Sequence, residues 1–204
     1  MVENAILENH KKYCERIELY KSFGYDVEEE RSFIIEKAQP LYGDIVEIGT
    51  GKGYFTIALA KQGYTFVSVD ISEDEQKFAR QNLVYLGLDK QIDFEVEDAG
   101  HVSFDNKSFD IIFAINILHH LLSPFKVINE LIRIVSFEGK IILSDFSEEG
   151  FEMVDKIHAR EGRIHYRNVI DLNDIKGYFL RKDFKIEQYN SRFQNILIAS
   201  HQFF

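Results

Sequence analysis

Apolar positions along the chain change their spacing several times, and each change marks an element. Over residues 3–22, Ile6, Leu7, Tyr13, Ile17 and Tyr20 recur at roughly helical intervals, and Gly24 breaks the pattern. Asp26 with Glu29 three places on has the form of a capping box, which predicts a second helix through Lys37 that Pro40 and Gly43 end. Short apolar runs then alternate with helical periods. Strands are expected at Asp44–Ile48, Thr65–Asp70, Ile92–Val96, Phe109–Ile115 and Lys140–Phe146. Helices are expected at Gly53–Gln62, from Ser72 to about Leu86 with Gly87 closing it, and from Ser123-Pro124 through Val135. Further helical periods cover about 150–160 and 171–182, and two last strands cover about 185–190 and 194–202.

Strands separated by helices predict a parallel sheet covered on both faces. The last two strands are joined by a tight connection near Ser191–Phe193 and must be antiparallel. The expected fold is therefore α/β: a Rossmann-like, doubly wound, mostly parallel sheet of seven strands with a C-terminal antiparallel hairpin and N-terminal helices. At 204 residues the chain suits a single domain. Within it, residues 1–40 read as a helical extension or lid, 41–146 as the ligand-binding half, and 147–204 as the remaining side with the terminal hairpin.

Composition narrows the possible functions. A net charge of −10 argues against a nucleic-acid partner, because phosphate binding wants a basic surface, and favours a small-molecule or protein substrate. The longest apolar runs, such as Ile111–Leu118, are too short to span a bilayer, and the first residues show no basic-then-apolar leader pattern. With Cys14 alone there is neither an internal disulfide nor a cysteine zinc site. A cytoplasmic location is expected, with a monomer and a homodimer both open.

The densest chemistry is in Val46-Glu47-Ile48-Gly49-Thr50-Gly51-Lys52-Gly53-Tyr54, where a strand enters a glycine loop and a helix leaves it. Alternate glycines let the backbone turn sharply and approach a ligand, and the helix N-terminus offers free amides. A nucleoside triphosphate loop fails, since Val46 holds the required first glycine position and Gly53 follows Lys52. A dinucleotide loop fails because Tyr54 stands where the third glycine is needed. S-adenosylmethionine has no pyrophosphate and carries cationic sulfonium and amino groups, which suits the acidic Glu47 ahead of the loop.

Glu47-Ile48-Gly49-Thr50-Gly51-Lys52-Gly53 resembles the first motif of class I S-adenosylmethionine-dependent methyltransferases. Three further landmarks extend the resemblance, chiefly over residues 40–146. Asp70 ends the second strand and by resemblance holds both ribose hydroxyls, while Ile71 packs on the adenine. Asp98 follows the third strand and by resemblance binds the adenine amino group, with the Ala99 amide at a ring nitrogen. The stretch Phe109–Leu121 is similar to the fourth strand and turn of small-molecule, quinone-biosynthesis-like methyltransferases (type 11), which places Asn116 beside the methionine end of the cofactor. The expected cofactor contacts are Glu47, Gly49, Thr50, Gly51, Gly53, Asp70, Ile71, Asp98, Ala99 and Asn116. Each has a simpler reading: the glycines could form a tight turn only, and Asp98 could cap the turn after it.

Beyond the motifs stand His119 and His120. Either, His120 preferentially, could take a proton from an acceptor, or simply be hydrogen-bonded in its turn. Adjacent histidines rarely point the same way, and His120 with Asp145, His158 and His165 matches no familiar metal spacing, so no metal site is expected. Arg160, Arg163 and Arg167 could grip an anionic acceptor or form a solvated helix face. The turn after the fourth strand lacks the Asn-Pro-Pro-Tyr sequence of many nucleic-acid amino-methylating enzymes. The expected activity is methyl transfer to a small acceptor. The alternatives are a non-catalytic cofactor sensor or partner subunit and, less favoured by the loop spacing, a nicotinamide-dependent oxidoreductase.

Overall fold

The computed structural model describes residues 2–165, 168 and 170–202. Two helices, α1 (Val2–Ser22) and α2 (Val27–Lys37), precede the sheet. Then come β1 (Ile45–Ile48), α3 (Tyr54–Lys61), β2 (Phe66–Asp70), α4 (Glu73–Leu86), β3 (Ile92–Val96) and β4 (Phe109–Ile115). The chain continues as α5 (Pro124–Ile134), β5 (Val135–Phe146), α6 (Glu148–Arg160), α7 (Leu172–Leu180), β6 (Phe184–Asn190) and β7 (Gln194–His201). The seven strands lie in the order β3-β2-β1-β4-β5-β7-β6. β7 runs antiparallel to both β5 and β6, and the other pairings are parallel. Strand order reverses between β1 and β4, and the cleft at their carboxyl ends is where such sheets bind ligands.

Each central strand feeds two cores because its side chains alternate. In β4, Ile112 and Ala114 join Val127, Ile128, Leu131, Ile175 and Phe179 on the α5/α7 face. Ile111, Phe113 and Ile115 join Ile34, Ile35, Phe55, Leu59 and Leu83 on the α2/α3/α4 face. A third cluster, Tyr25, Val27, Met153, Val154, Ile157 and Phe193, ties the start of α2 to α6 and the hairpin turn.

Local signals place most boundaries. The Asp26 carboxylate accepts from the Glu28 and Glu29 amides at 3.1 and 3.2 Å, capping α2 from one side. Ser72 accepts from the Glu75 amide, and Gly87 closes α4 in a left-handed conformation. Two expectations fail. Ser123 makes no side-chain cap, and the start of α5 rests on Pro124 at its first turn instead. β5 begins five residues before Lys140, because α5 passes straight into it and Val135 pairs with Phe109. In α1, Leu7 of the expected apolar stripe is 39 % exposed, while Asn9 is buried and donates to the Phe78 carbonyl of α4. No helix among the described residues is long and apolar enough to cross a membrane.

Candidate active site

A cavity of about 760 Å³ opens at the carboxyl ends of β1, β2, β4 and β5. Its floor is the glycine loop. Glu47, at the end of β1, is buried, and Oε2 accepts from the Thr56 and Ser68 hydroxyls at 2.7 Å each. Burial pushes its carboxyl up to about 7, against the pull of those hydroxyls. Thr50 turns its hydroxyl to Ser68 at 2.7 Å, and Gln76 donates to Thr50 and to the Ser68 and Glu95 carbonyls. Thr50 therefore secures the loop from below and faces the cavity with backbone.

The three glycines have different tasks. At Gly49 (φ 94°) a Cβ would come within 2.3 Å of Ile117 Cγ2, so a side chain would collide with the turn after β4. At Gly51 (φ 48°) a Cβ would meet nothing within 4 Å, because that position opens into the cavity. Gly53 (φ 81°), expected at the cofactor, is absent from the cavity lining. A Cβ there would lie 2.8 Å from that of Ala79, so this glycine lets α3 and α4 approach.

Asp70, Ile71, Asp98, Ala99 and Asn116 all line the cavity. Asp70 Oδ2 accepts from the Gly51 amide at 2.7 Å and Oδ1 from the Ser72 amide at 2.8 Å, which fixes the carboxylate and the loop together. Ile71 is 73 % exposed on the rim and presents an apolar side chain there. Asp98 accepts from the Gly100 amide at 2.8 Å, as a turn-capping residue would, and Lys126 stands 3.4 Å away. The amide and then Lys126 hold its carboxyl below the usual range. Asn116 adopts a left-handed φ of 57°, and both its side-chain oxygen and nitrogen are buried with no hydrogen-bond partner among the described residues. A buried amide left unpaired on a cavity wall costs stability, and a ligand that pairs it recovers that cost.

Sequence reasoning missed Arg31. It lies on α2 at 6 % exposure and lines the cavity, with Nε and Nη1 unpartnered. Among the described residues it makes no ion pair. Its signal was faint: one arginine in a glutamate-rich helix with no motif around it. The end of α1 also reaches the cavity. Tyr20 lines it beside Tyr54, with ring centroids 6.2 Å apart. Tyr25, five residues further on, is instead fully buried in the third cluster, where its hydroxyl accepts from Gln194 at 3.0 Å.

The other end of the cavity is built from histidines. His119 and His120 occupy a single 3-10 turn after β4, and their rings lie 3.9 Å apart, not diverging as adjacency suggested. His119 is buried, with Nδ1 2.6 Å from Asp145 Oδ1 at the end of β5. The segment after α6 folds over them. Asn168 donates to the Leu118 and Leu121 carbonyls, and His165 stands with its ring 5.1 Å from that of His119 and 5.6 Å from that of His120. His158 on α6 completes the wall, its Nδ1 buried and unpartnered. Partial desolvation, then the neighbouring imidazoles, pushes His120 down to about 4 although its side chain is still exposed to the cavity, and burial followed by Arg163 pushes His158 down to about 4, which favours the neutral form of both. Arg160 and Arg163 lie on a solvated face. Arg163 and Arg16 both pair with Glu161, and Arg160 is exposed, while Arg167 lies outside the described residues.

Comparison with known proteins decides the family. Residues 43–195 match the methyltransferase domain family. The chain belongs to that family. It is 31 % identical over 109 residues to a demethylmenaquinone methyltransferase of Clavibacter sepedonicus, covering 53 % of this chain and 43 % of the relative. It is 29 % identical over 103 residues to the 27-O-demethylrifamycin SV methyltransferase of Amycolatopsis mediterranei, covering 50 % of this chain and 38 % of that one. The match thus spans less than half of each relative. In fold, it resembles a glycopeptide N-methyltransferase solved with S-adenosyl-L-methionine, with a TM-score of 0.71 at 13 % identity over 86 % of this chain and 94 % of the other.

The cavity of this methyltransferase-family chain suits S-adenosylmethionine on its own chemistry. The unpaired Arg31 guanidinium is complementary to the amino-acid carboxylate, Glu47 to the ammonium, and the unpaired Asn116 amide to either. Asp70 keeps lone pairs for two hydroxyls, and Ile71 offers an apolar surface for a ring.

Proposed function

We propose that the chain transfers a methyl group from S-adenosylmethionine to a small-molecule acceptor. The observation that carries this reading is a single cavity with two unlike ends. One is lined by Gly49, Gly51, Asp70 and Ile71, the other by Tyr20, Phe146, His119, His120, His158 and His165. When bound, S-adenosylmethionine supplies an electrophilic methyl carbon on sulfur. Asp70, Arg31, Glu47 and Asn116 hold the two ends of that ligand and so aim its centre at the histidine wall. Tyr20, Tyr54 and Phe146 exclude water there. Neutral His120 is placed to accept a proton from an acceptor hydroxyl or amine, and alignment of the acceptor supplies most of the remaining rate. The last turn of α1, which carries Tyr20, acts as a lid, while the earlier turns of α1 rest on α4 and the start of α2 stays anchored in the third cluster. The net charge of −10 disfavours nucleic acid, and the exposed thiol of Cys14 suits the reducing cytoplasm.

The sensor alternative would suit a cavity whose far end lacked polar groups, and four histidines there favour catalysis. Calorimetric titration with S-adenosylhomocysteine and with NAD tests the reading. The first should bind stoichiometrically and the second should not. Binding of NAD alone would replace methyl transfer with the oxidoreductase reading.

A further inference from the structure

One general base would suffice for the methyl transfer proposed above, yet three imidazoles converge at the far end of the cavity. His119, His120 and His165 each bring a ring nitrogen to within 4.8 Å of the others. Two of the three are backed by a carboxylate. His119 Nδ1 lies 2.6 Å from Asp145 Oδ1, and His165 Nδ1 lies 3.0 Å from Asp155 Oδ1. Asp145 is itself held by the His119 and Phe146 amides, at 3.1 and 2.9 Å. A carboxylate on Nδ1 fixes the tautomer, leaves Nε2 as the coordinating atom and raises its basicity, which is the arrangement that orients histidine ligands around metals.

We propose that His119, His120 and His165 bind a divalent transition metal ion of the zinc, cobalt or iron(II) class. The ion's open position faces the cavity and takes an oxygen or sulfur of the methyl acceptor. Three imidazole ligands with no thiolate suit a borderline ion and disfavour magnesium and calcium, which want oxygen ligands. Drawing the three nitrogens to about 2.0–2.1 Å from a common centre needs inward movement of about an ångström, within the reach of side-chain rotation. Asp145 and Asp155 supply the balancing negative charge behind the ligands. Three protein ligands with one open position are the pattern of a catalytic site, not a structural one.

The metal's part in the reaction rests on the methyl-transfer reading and takes over the proton-accepting task given to His120 above, because a ligating neutral imidazole has no lone pair left for a proton; its binding rests on side-chain geometry alone. A hydroxyl acceptor coordinated there would lose its proton to solvent at neutral pH. Its oxygen lone pair would then form the new bond to the methyl carbon as the carbon–sulfur bond breaks, and that electron pair would stay on sulfur as the thioether. The acceptor class implied is therefore one with a metal-binding hydroxyl, enol or thiol.

The test is titration of the chelator-treated full chain with Co²⁺, followed by competition with Zn²⁺. One equivalent should produce the visible absorption of a four-coordinate cobalt site, and zinc should bleach it. His120→Gln and His165→Gln should each weaken Co²⁺ binding at least tenfold. Asp145→Asn should weaken it about 10–100-fold, as loss of a carboxylate behind a ligand does. S-adenosylhomocysteine affinity, measured on the same samples, should stay within a few-fold and so reports folding separately. Absence of the cobalt spectrum in the parent chain, or an unchanged spectrum in both glutamine variants, overturns the metal site. Loss of S-adenosylhomocysteine binding in the parent would sink the cofactor reading instead, with the metal titration judged on its own result.

Discussion

At the Asp70 end of the cavity most polar groups are already held by neighbours on the same loop or the next strand. At the His120 end, the groups are collected from the turn after β4, from the end of β5, from α6 and from the segment beyond it. Asp70 bonds the Gly51 and Ser72 amides, and Glu47 bonds Thr56 and Ser68. Those bonds span 2 to 21 positions within the single β1–α3–β2 unit and its exit, whereas His119 reaches 26 positions to Asp145 on β5 and Asn168 reaches 50 positions to Leu118. A cradle made by local geometry can be shared across a family while a chamber assembled from distant segments changes, so one fold can keep its cofactor and vary its acceptor.

The sharpest break of the cofactor end is Gly51→Val. No protein atom lies within 4 Å of the added Cβ, so the fold should survive at a cost of about 1–3 kcal/mol for a branched residue at φ 48°. S-adenosylhomocysteine binding should vanish. A folded variant that binds like the parent would show that the loop does not face the ligand. Asp70→Ala comes next and should weaken S-adenosylhomocysteine binding by roughly 2–4 kcal/mol by calorimetry, since two charge-assisted bonds go at once. Unchanged affinity in a folded protein would remove the ribose assignment.

Arg31→Met separates binding from stability. Removing a buried cation that makes no ion pair among the described residues should raise stability by about 1 kcal/mol in denaturant melts. The same change should cost about 2 kcal/mol of S-adenosylhomocysteine affinity. Loss of stability together with unchanged affinity would mean the guanidinium serves the fold and not the ligand.

The mildest effect is the pH dependence of Glu47. Its folded carboxyl titrates at about 7 against an ordinary 4.5, so between those values the folded state holds a proton that the unfolded chain has released. The ligand-free protein should therefore lose stability as pH rises from about 4.5 to 7. A cationic ligand favours the carboxylate, so S-adenosylmethionine binding near pH 7 should release a proton and weaken as pH falls. Calorimetry in two buffers of different ionisation enthalpy reads that proton, and Glu47→Gln should abolish its release. Equal heats in both buffers for the parent chain would contradict a raised Glu47.

The same contrast explains what could be read in the sequence. Strand and helix positions and the β6–β7 hairpin follow from spacing that is local to each element, and the resemblance to the methyltransferase motifs implied the placement of Asp70, Ile71, Asp98 and Asn116 on the cavity. Gly53 was legible as a glycine the loop needs, but its partner, Ala79, lies on another helix, so its packing task was not. Arg31 gave no local signal because its setting is made by β1 and α3, and the meeting of His165 with His119 depends on the fold-back of a segment with no motif of its own. Tyr20 and Tyr25 looked alike in the sequence. One lines the cavity, and the other is committed to Phe193 and Gln194.

A crystal structure with S-adenosylhomocysteine tests the central claim most directly. The account predicts the ribose on Asp70, the ring over Ile71, the amino-acid carboxylate on Arg31 and the sulfur facing the space bounded by His119, His120 and His165. A ligand seated outside this cavity, or one whose sulfur faces away from the histidines, would contradict it.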